Sequence, residues 1–171
     1  MKLIVFSGLP GTGKSRLAEA VGRARGIPVF AKDWLEATLI KSELIPSSQK
    51  KPLGYTGYQL LTTLAERQFI LGQSVILDSV ASTLSIRGIW RELAEHYDAG
   101  YRVIECICSD ELLHRSRLEE RKRNIPGWHE LEWSEVARVK QYYSPWEGAR
   151  LIVDMVHPFN ENFLKAQTYC E

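Results

Sequence analysis

Short unbroken apolar runs alternate with longer amphipathic stretches along the whole chain. Leu3-Ile4-Val5-Phe6 is continuous apolar sequence closed by Ser7-Gly8, the pattern of a strand buried on both faces. From Lys14 to about Arg25 the period becomes helical, with Leu17, Ala18, Val21 and Ala24 on one side and Gly26-Ile27-Pro28 as the stop. A second strand is expected over Ile27–Ala31. Asp33 then opens a helix through Trp34–Ile40 that fades near Pro46, and residues 42–57, with Pro, Ser, Lys and Gly in no period, read as a loop. A helix from Tyr58 to about Leu71 leads to a strand over Ser74–Asp78, and a helix over about Ile86–Tyr97 leads to a strand over Tyr101–Cys108. A charged helix from Asp110 to about Arg123, a loop over Asn124–His129 and a helix near Trp133–Tyr143 follow. Leu151–Val153 is the fifth strand, and a helix from Asn160 to about Tyr169 comes last.

Strands and helices in alternation specify an α/β fold, a parallel sheet covered on both faces by right-handed crossovers. Ligands of such sheets bind at the carboxyl ends of the strands, and the main candidate residues follow those ends. The 171 residues suit a single domain, 1–171. A net charge of +1 gives no overall field to draw nucleic acid or an anionic membrane. No apolar run approaches the ~20 residues of a membrane span, and the stretch before Ser7 is too short for a signal peptide. Cys106 and Cys108 alternate within an apolar run, which reads as strand packing; with Cys170 they are expected as reduced thiols in the cytoplasm.

Gly8-Leu9-Pro10-Gly11-Thr12-Gly13-Lys14-Ser15 matches G-x-x-x-x-G-K-[ST] in full, between a predicted strand and a predicted helix. Gly11 and Gly13 let the backbone bend so that successive N–H groups, including that of Thr12, point at phosphate oxygens. The helix N-terminus adds its partial positive charge. Lys14, expected to face solvent until phosphate arrives, reaches the β- and γ-phosphates of ATP, and the Ser15 hydroxyl binds Mg²⁺. Asp78 ends a buried strand, where P-loop proteins hold Mg²⁺ directly or through water; the plain alternative is a polar residue that closes the strand. The dinucleotide pattern G-x-G-x-x-G fails, because Arg16 stands where its last glycine belongs.

With these residues in place, the chain resembles the small P-loop kinases, including polynucleotide kinases and small-molecule kinases, and the short ATP-binding proteins called AAA-family ATPases. The resemblance rests on the Gly8–Ser15 loop, Asp33 after the second strand, Val75-Ile76-Leu77-Asp78, Arg117-x-x-x-Arg121, and Val153-Asp154 with Pro158. It implies a three-layer fold with sheet order 2-3-1-4-5, and ATP with Mg²⁺ as cofactors. It also implies that Asp33 contacts the acceptor hydroxyl and acts as its base, that residues 115–129 form a lid, and that Pro158, beside His157, holds the adenine. True AAA+ motors carry a helical domain for which this length leaves no room.

Each role has a structural counterpart. Asp33-Trp34-Leu35-Glu36 is nearly a capping box, with Asp33 as N-cap. Arg117 and Arg121 stand four apart on one helix face, able to grip a transferring phosphoryl, yet Glu119 and Glu120 also fit a solvated helix laced with ion pairs. Trp128, Trp133, Tyr142, Tyr143 and Trp146 could stack on an acceptor or fill the core, and His129 is an acid–base candidate or a surface histidine. A phosphotransferase acting on a hydroxyl accounts for the most residues. A regulatory ATPase or switch, or an ATP-binding module without catalysis, is the alternative. The acceptor is not readable: the loop at 42–57 is expected to form its pocket, and Lys50 and Lys51 leave a nucleic-acid end in view, against the near-neutral charge.

Overall fold

The computed structural model describes residues 1–42 and 53–171. In chain order the elements are β1 (Lys2–Ser7), α1 (Lys14–Arg25), β2 (Val29–Ala31), α2 (Lys32–Lys41), α3 (Leu53–Ile70) and β3 (Val75–Asp78). They continue with α4 (Leu84–His96), β4 (Gly100–Ile107), α5 (Glu111–Glu120), α6 (Trp133–Tyr142), β5 (Leu151–Asp154) and α7 (Phe159–Tyr169). The five strands form one parallel sheet in the order β2-β3-β1-β4-β5, the order that the resemblance implied.

Alternation along the strands divides the core into two layers. Leu3, Val5, Val75, Leu77 and Val103 meet Leu61, Ala65 and Phe69 of α3 and Trp90 and Ala94 of α4. Ile4, Phe6, Ile76, Ile104 and Val153 meet Leu17, Ala18 and Val21 of α1 and Ala166 of α7. Leu3 through Phe6 lose all exposure, as the continuous apolar run required. Each such side chain contributes about 1.5–3 kcal/mol by burial, which fixes β1 at the centre of the sheet. Its carboxyl end therefore opens between β3 and β4, where successive connections run to opposite sides of the sheet.

Four local expectations change. Residues 53–57 are the first turn of α3, and residues 43–52, with Lys50 and Lys51, lie outside the described part. Gly57, expected in the loop, instead lets two helices close up: a Cβ there would sit 2.7 Å from Glu36 Oε1 on α2. Helix α2 starts at Lys32 with Ala31 as N-cap, so Asp33 lies inside the first turn and caps nothing; Glu36 pairs with Lys32 instead of closing a capping box. Helix α5 is capped by Asp110, whose carboxylate accepts from Leu113 N at 2.9 Å, but it ends at Glu120. Arg117 and Arg121 therefore do not share a helix face. β4 ends at Ile107; Cys106 is in the core, where burial pushes its thiol up to about 12, and Cys108 lies beyond the strand. Among the described residues no helix is long and apolar enough to cross a membrane.

Candidate active site

The Gly8–Ser15 loop joins the end of β1 to the start of α1. Its glycines have left-handed backbone, with φ of 137° at Gly8, 86° at Gly11 and 93° at Gly13. At Gly8 a side chain is also impossible for space, since a Cβ would lie 2.1 Å from the Cys106 carbonyl oxygen of β4. No side chain caps α1, so its first amide donors stand ready for an anion at the positive end of the helix dipole. Two contacts stiffen the loop. Thr12 Oγ1 donates to Leu9 O at 2.9 Å, and His114 Nε2 bonds Pro10 O at 2.8 Å. A carbonyl only accepts, so Nε2 carries the proton; burial pushes the His114 pKa down and keeps the ring neutral.

Lys14 is only 7% exposed, not solvent-facing, and its charge acts on the ionisation of both Asp33 and Asp78. Asp78 is buried and its Oδ1 has no hydrogen-bond partner. Burial raises its pKa, against the Lys14 charge and a hydrogen bond from Ser15. An orphaned buried carboxylate oxygen next to a hydroxyl is a site for a hard cation, so Ser15 and Asp78 fit Mg²⁺. Asp33 forms an ion pair with Arg123. Burial would raise its pKa, but the charges of Arg123, Lys14 and Lys32 together outweigh that and hold it below the ordinary carboxylate value.

The basic segment divides by residue. Arg117 Nη1 donates to Met155 O at 2.7 Å and braces the chain after β5. Arg121, just past α5, lines a cleft of about 440 Å³ with Gly13, Lys14 and Ser15, and its Nε and Nη2 are buried without a partner. The chain then runs across to α2: Arg123 N donates to Glu130 Oε1 at 2.8 Å, and Gly127 packs on Ala37 and Lys41. The pull of Asp33 on Arg123 and the burial of Ile125 account for the early end of α5. Pro158 does not line this cleft; it is exposed at the start of α7, beside Phe159, over whose ring the Arg16 guanidinium lies at 4.3 Å.

A second cavity, about 560 Å³, opens between α2, α3 and α6, and Pro10 of the loop also lines it. Asp33 lines this cavity while its partner Arg123 lines the phosphate cleft, so one ion pair sits across the boundary of the two spaces. The aromatics separate accordingly. Trp128, Tyr142 and His129 line the cavity. Trp146 is core, donating to Ser7 Oγ at 2.9 Å; Tyr143 also bonds Ser7, and Trp133 packs edge-on against His114. Sequence reasoning missed His114 and the pairing of Arg123. Neither leaves a local signal, since both depend on partners about ninety residues or more away.

A family profile described as AAA domain (AAA_33) matches residues 3–146. The chain belongs to that family. No curated protein matches it by sequence. Among solved structures it is similar to a sugar kinase from Janibacter sp. HTCC2649, at 16% identity and TM-score 0.74, covering 99% of this chain and 94% of that one. A gluconokinase from Sinorhizobium meliloti 1021 matches at 22% identity and TM-score 0.72, covering 98% and 90%. The Mycobacterium tuberculosis APS kinase CysC, solved with AMPPNP and APS, matches at 18% and TM-score 0.63, covering 99% and 96%. This AAA_33 domain thus has the fold of the small P-loop kinases.

Proposed function

We propose that the protein is an ATP-dependent phosphotransferase that moves the γ-phosphate to a hydroxyl of a small molecule. The observation that carries this reading is the Asp33–Arg123 pair, set between a phosphate cleft and a separate cavity large enough for a second substrate. A protein that only hydrolyses ATP has no use for the second cavity. The neighbours named as sugar kinase, gluconokinase and APS kinase support the reading, and the last was solved with a nucleotide and a second ligand together.

The amides of Gly11, Thr12 and Gly13 and the Lys14 ammonium bind the β- and γ-phosphates. Ser15 and Asp78 would hold Mg²⁺, which supplies positive charge to the phosphate oxygens. Arg16, Phe159 and Pro158 provide the surface for the adenine. The acceptor oxygen attacks the γ-phosphorus, its proton passes to Asp33, and the bond to the β–γ bridging oxygen breaks, so that ADP leaves with the electron pair. Arg121, which lines the cleft and has buried donors without partners, offsets charge on the moving phosphoryl; Arg117 braces Met155. Three free cysteines suit a cytoplasmic setting.

The test is ADP release in the presence of sugars, hydroxy acids, nucleosides, antibiotics or 5′-hydroxyl oligonucleotides, with the wild type and Asp33→Asn. A base contributes ~10²–10⁴ in rate, so acceptor phosphorylation should fall by that factor in the variant while background hydrolysis changes far less. Full-speed transfer by Asp33→Asn removes Asp33 as the base. A wild type that hydrolyses ATP equally fast with and without every acceptor returns the protein to the switch class.

A further inference from the structure

The charges that line the cavity beside Asp33 can be followed one by one, on the reading of that cavity as the acceptor site. Lys32 is paired with Glu36, and its ammonium lies 4.8 Å above the Tyr58 ring. Asp33 is paired with Arg123. Glu135 is engaged at both oxygens: Oε1 lies 3.2 Å from His129 Nε2, and Oε2 accepts from Glu132 N at 3.1 Å. Arg138 remains. Among the described residues this guanidinium makes no hydrogen bond or ion pair, although it lines the cavity together with Glu135, Val139 and Tyr142 of the same helix. The spacing of those four residues places them along one face of α6.

Depth orders the same groups. Glu36 is buried, Asp33 is partly exposed and Arg138 is exposed. A ligand that presents a hydroxyl to Asp33 thus has paired charges around its reacting end and one unpaired cation near the opening. Five donors in a planar fork match a carboxylate or a phosphate, and such charge-assisted bonds are about twice as strong as neutral ones. Trp128 and Tyr142 add flat apolar surface to the walls. The volume of about 560 Å³ is that of a small-molecule site. A polymer end would need a track of cations for successive phosphates, and among the described lining residues only Arg138 is unpaired.

We propose that the acceptor is a small anion, a hydroxylated compound whose carboxylate or phosphate is held by Arg138 while one of its hydroxyls meets Asp33. Arg138 is then a specificity determinant that acts on acceptor binding and not on ATP.

The experiment measures ADP release by the full chain with matched acceptor pairs: gluconate against glucose, glycerate against glycerol, and glucose 6-phosphate against glucose. The two kinds of acid separate a carboxylate from a phosphate ligand. The charged member of at least one pair should be the better acceptor, and Arg138→Met should raise its KM roughly 10–100-fold. The KM for ATP and the melting temperature should stay at wild-type values, and Arg138→Lys should recover part of the loss. Preference for the neutral members overturns the proposal. So does equal weakening of charged and neutral acceptors by Arg138→Met, or no acceleration by any charged member in a protein that binds ATP. A wild type that does not bind ATP in a nucleotide titration of the same samples removes the kinase reading, and the proposal with it.

Discussion

Asp78 sets function against stability, and Asp78→Asn measures the conflict. The carboxyl is 4% exposed, Oδ1 has no partner, and burial raises its pKa in spite of Lys14 and Ser15. The folded protein therefore holds the Asp78 proton more tightly than the unfolded chain does. The sign follows: stability from this group is fully present below its unfolded value of 3.8 and is lost as pH rises through the folded value. At neutral pH, without Mg²⁺ and nucleotide, the buried carboxyl is a liability that its neutral isostere relieves. An unsatisfied buried group costs ~1–3 kcal/mol, more when charged, and Asn keeps part of that as a neutral polar group. A gain of ~1–2 kcal/mol, at about 2–4 °C per kcal/mol for a chain of this length, puts the Asp78→Asn melting temperature about 2–8 °C above wild type. With Mg²⁺ and ATP at a hundred times Kd, the wild type should gain ~2.7 kcal/mol and the variant much less, so the ranking of the two proteins reverses. Differential scanning fluorimetry at pH 4 and pH 7.5, with and without Mg²⁺-ATP, reads all of this. The apo gap should shrink toward zero at the lower pH. An apo variant that melts below wild type at pH 7.5, or one that gains as much from Mg²⁺-ATP as wild type, refutes the reasoning.

Arg121→Met should lower kcat far more than it weakens ATP binding, because its donors are unpartnered before transfer, while Arg117→Met should mainly raise the KM for ATP through the Met155 segment; stopped-flow or steady-state ADP release separates the two, and the reverse assignment would return Arg117 to the lid. Lys14→Ala should abolish ATP binding in a nucleotide titration and also lower the melting temperature, since it removes the strongest attraction on buried Asp78 and leaves Arg123 to offset both carboxylates; a variant that binds ATP at wild-type strength contradicts the phosphate cradle. His114→Leu should weaken ATP binding roughly fivefold by removing one ~1 kcal/mol bond to Pro10, and His114→Gln, which keeps an amide donor at similar reach, should recover it. Because the His114 pKa is lowered by burial, the unfolded chain takes up a proton that the folded one resists as pH falls through 6.5; wild-type stability should fall over that range, and the slope should flatten in both variants.

Continuous burial of Leu3–Phe6, the alternation of strand and helix, and the glycines and Lys14 of the phosphate loop were all readable from the chain, because each depends on neighbours within about one turn or one strand. The parallel sheet followed from strands alternating with helices, and its strand order from the resemblance. The misreadings have a common origin. Gly57 reads as part of a loop because its partner, Glu36, belongs to another helix, and the helix reads as continuous through Arg121 because Asp33, which draws Arg123 away, lies ninety residues back. Asp33 looked like a helix cap because Glu36 stood three residues on, but Lys32 had already engaged that glutamate. Local propensity differences amount to tenths of a kcal/mol per residue, whereas a buried charge left unpaired costs several; the second sets where helices stop and which arginine is free. The sequence by itself determined that the chain carries a P-loop, and where along the chain it lies. Only the tertiary structure decided which charges are already paired, and so left Arg121 and Arg138 without partners among the described residues, because pairing is settled between residues that the chain keeps far apart.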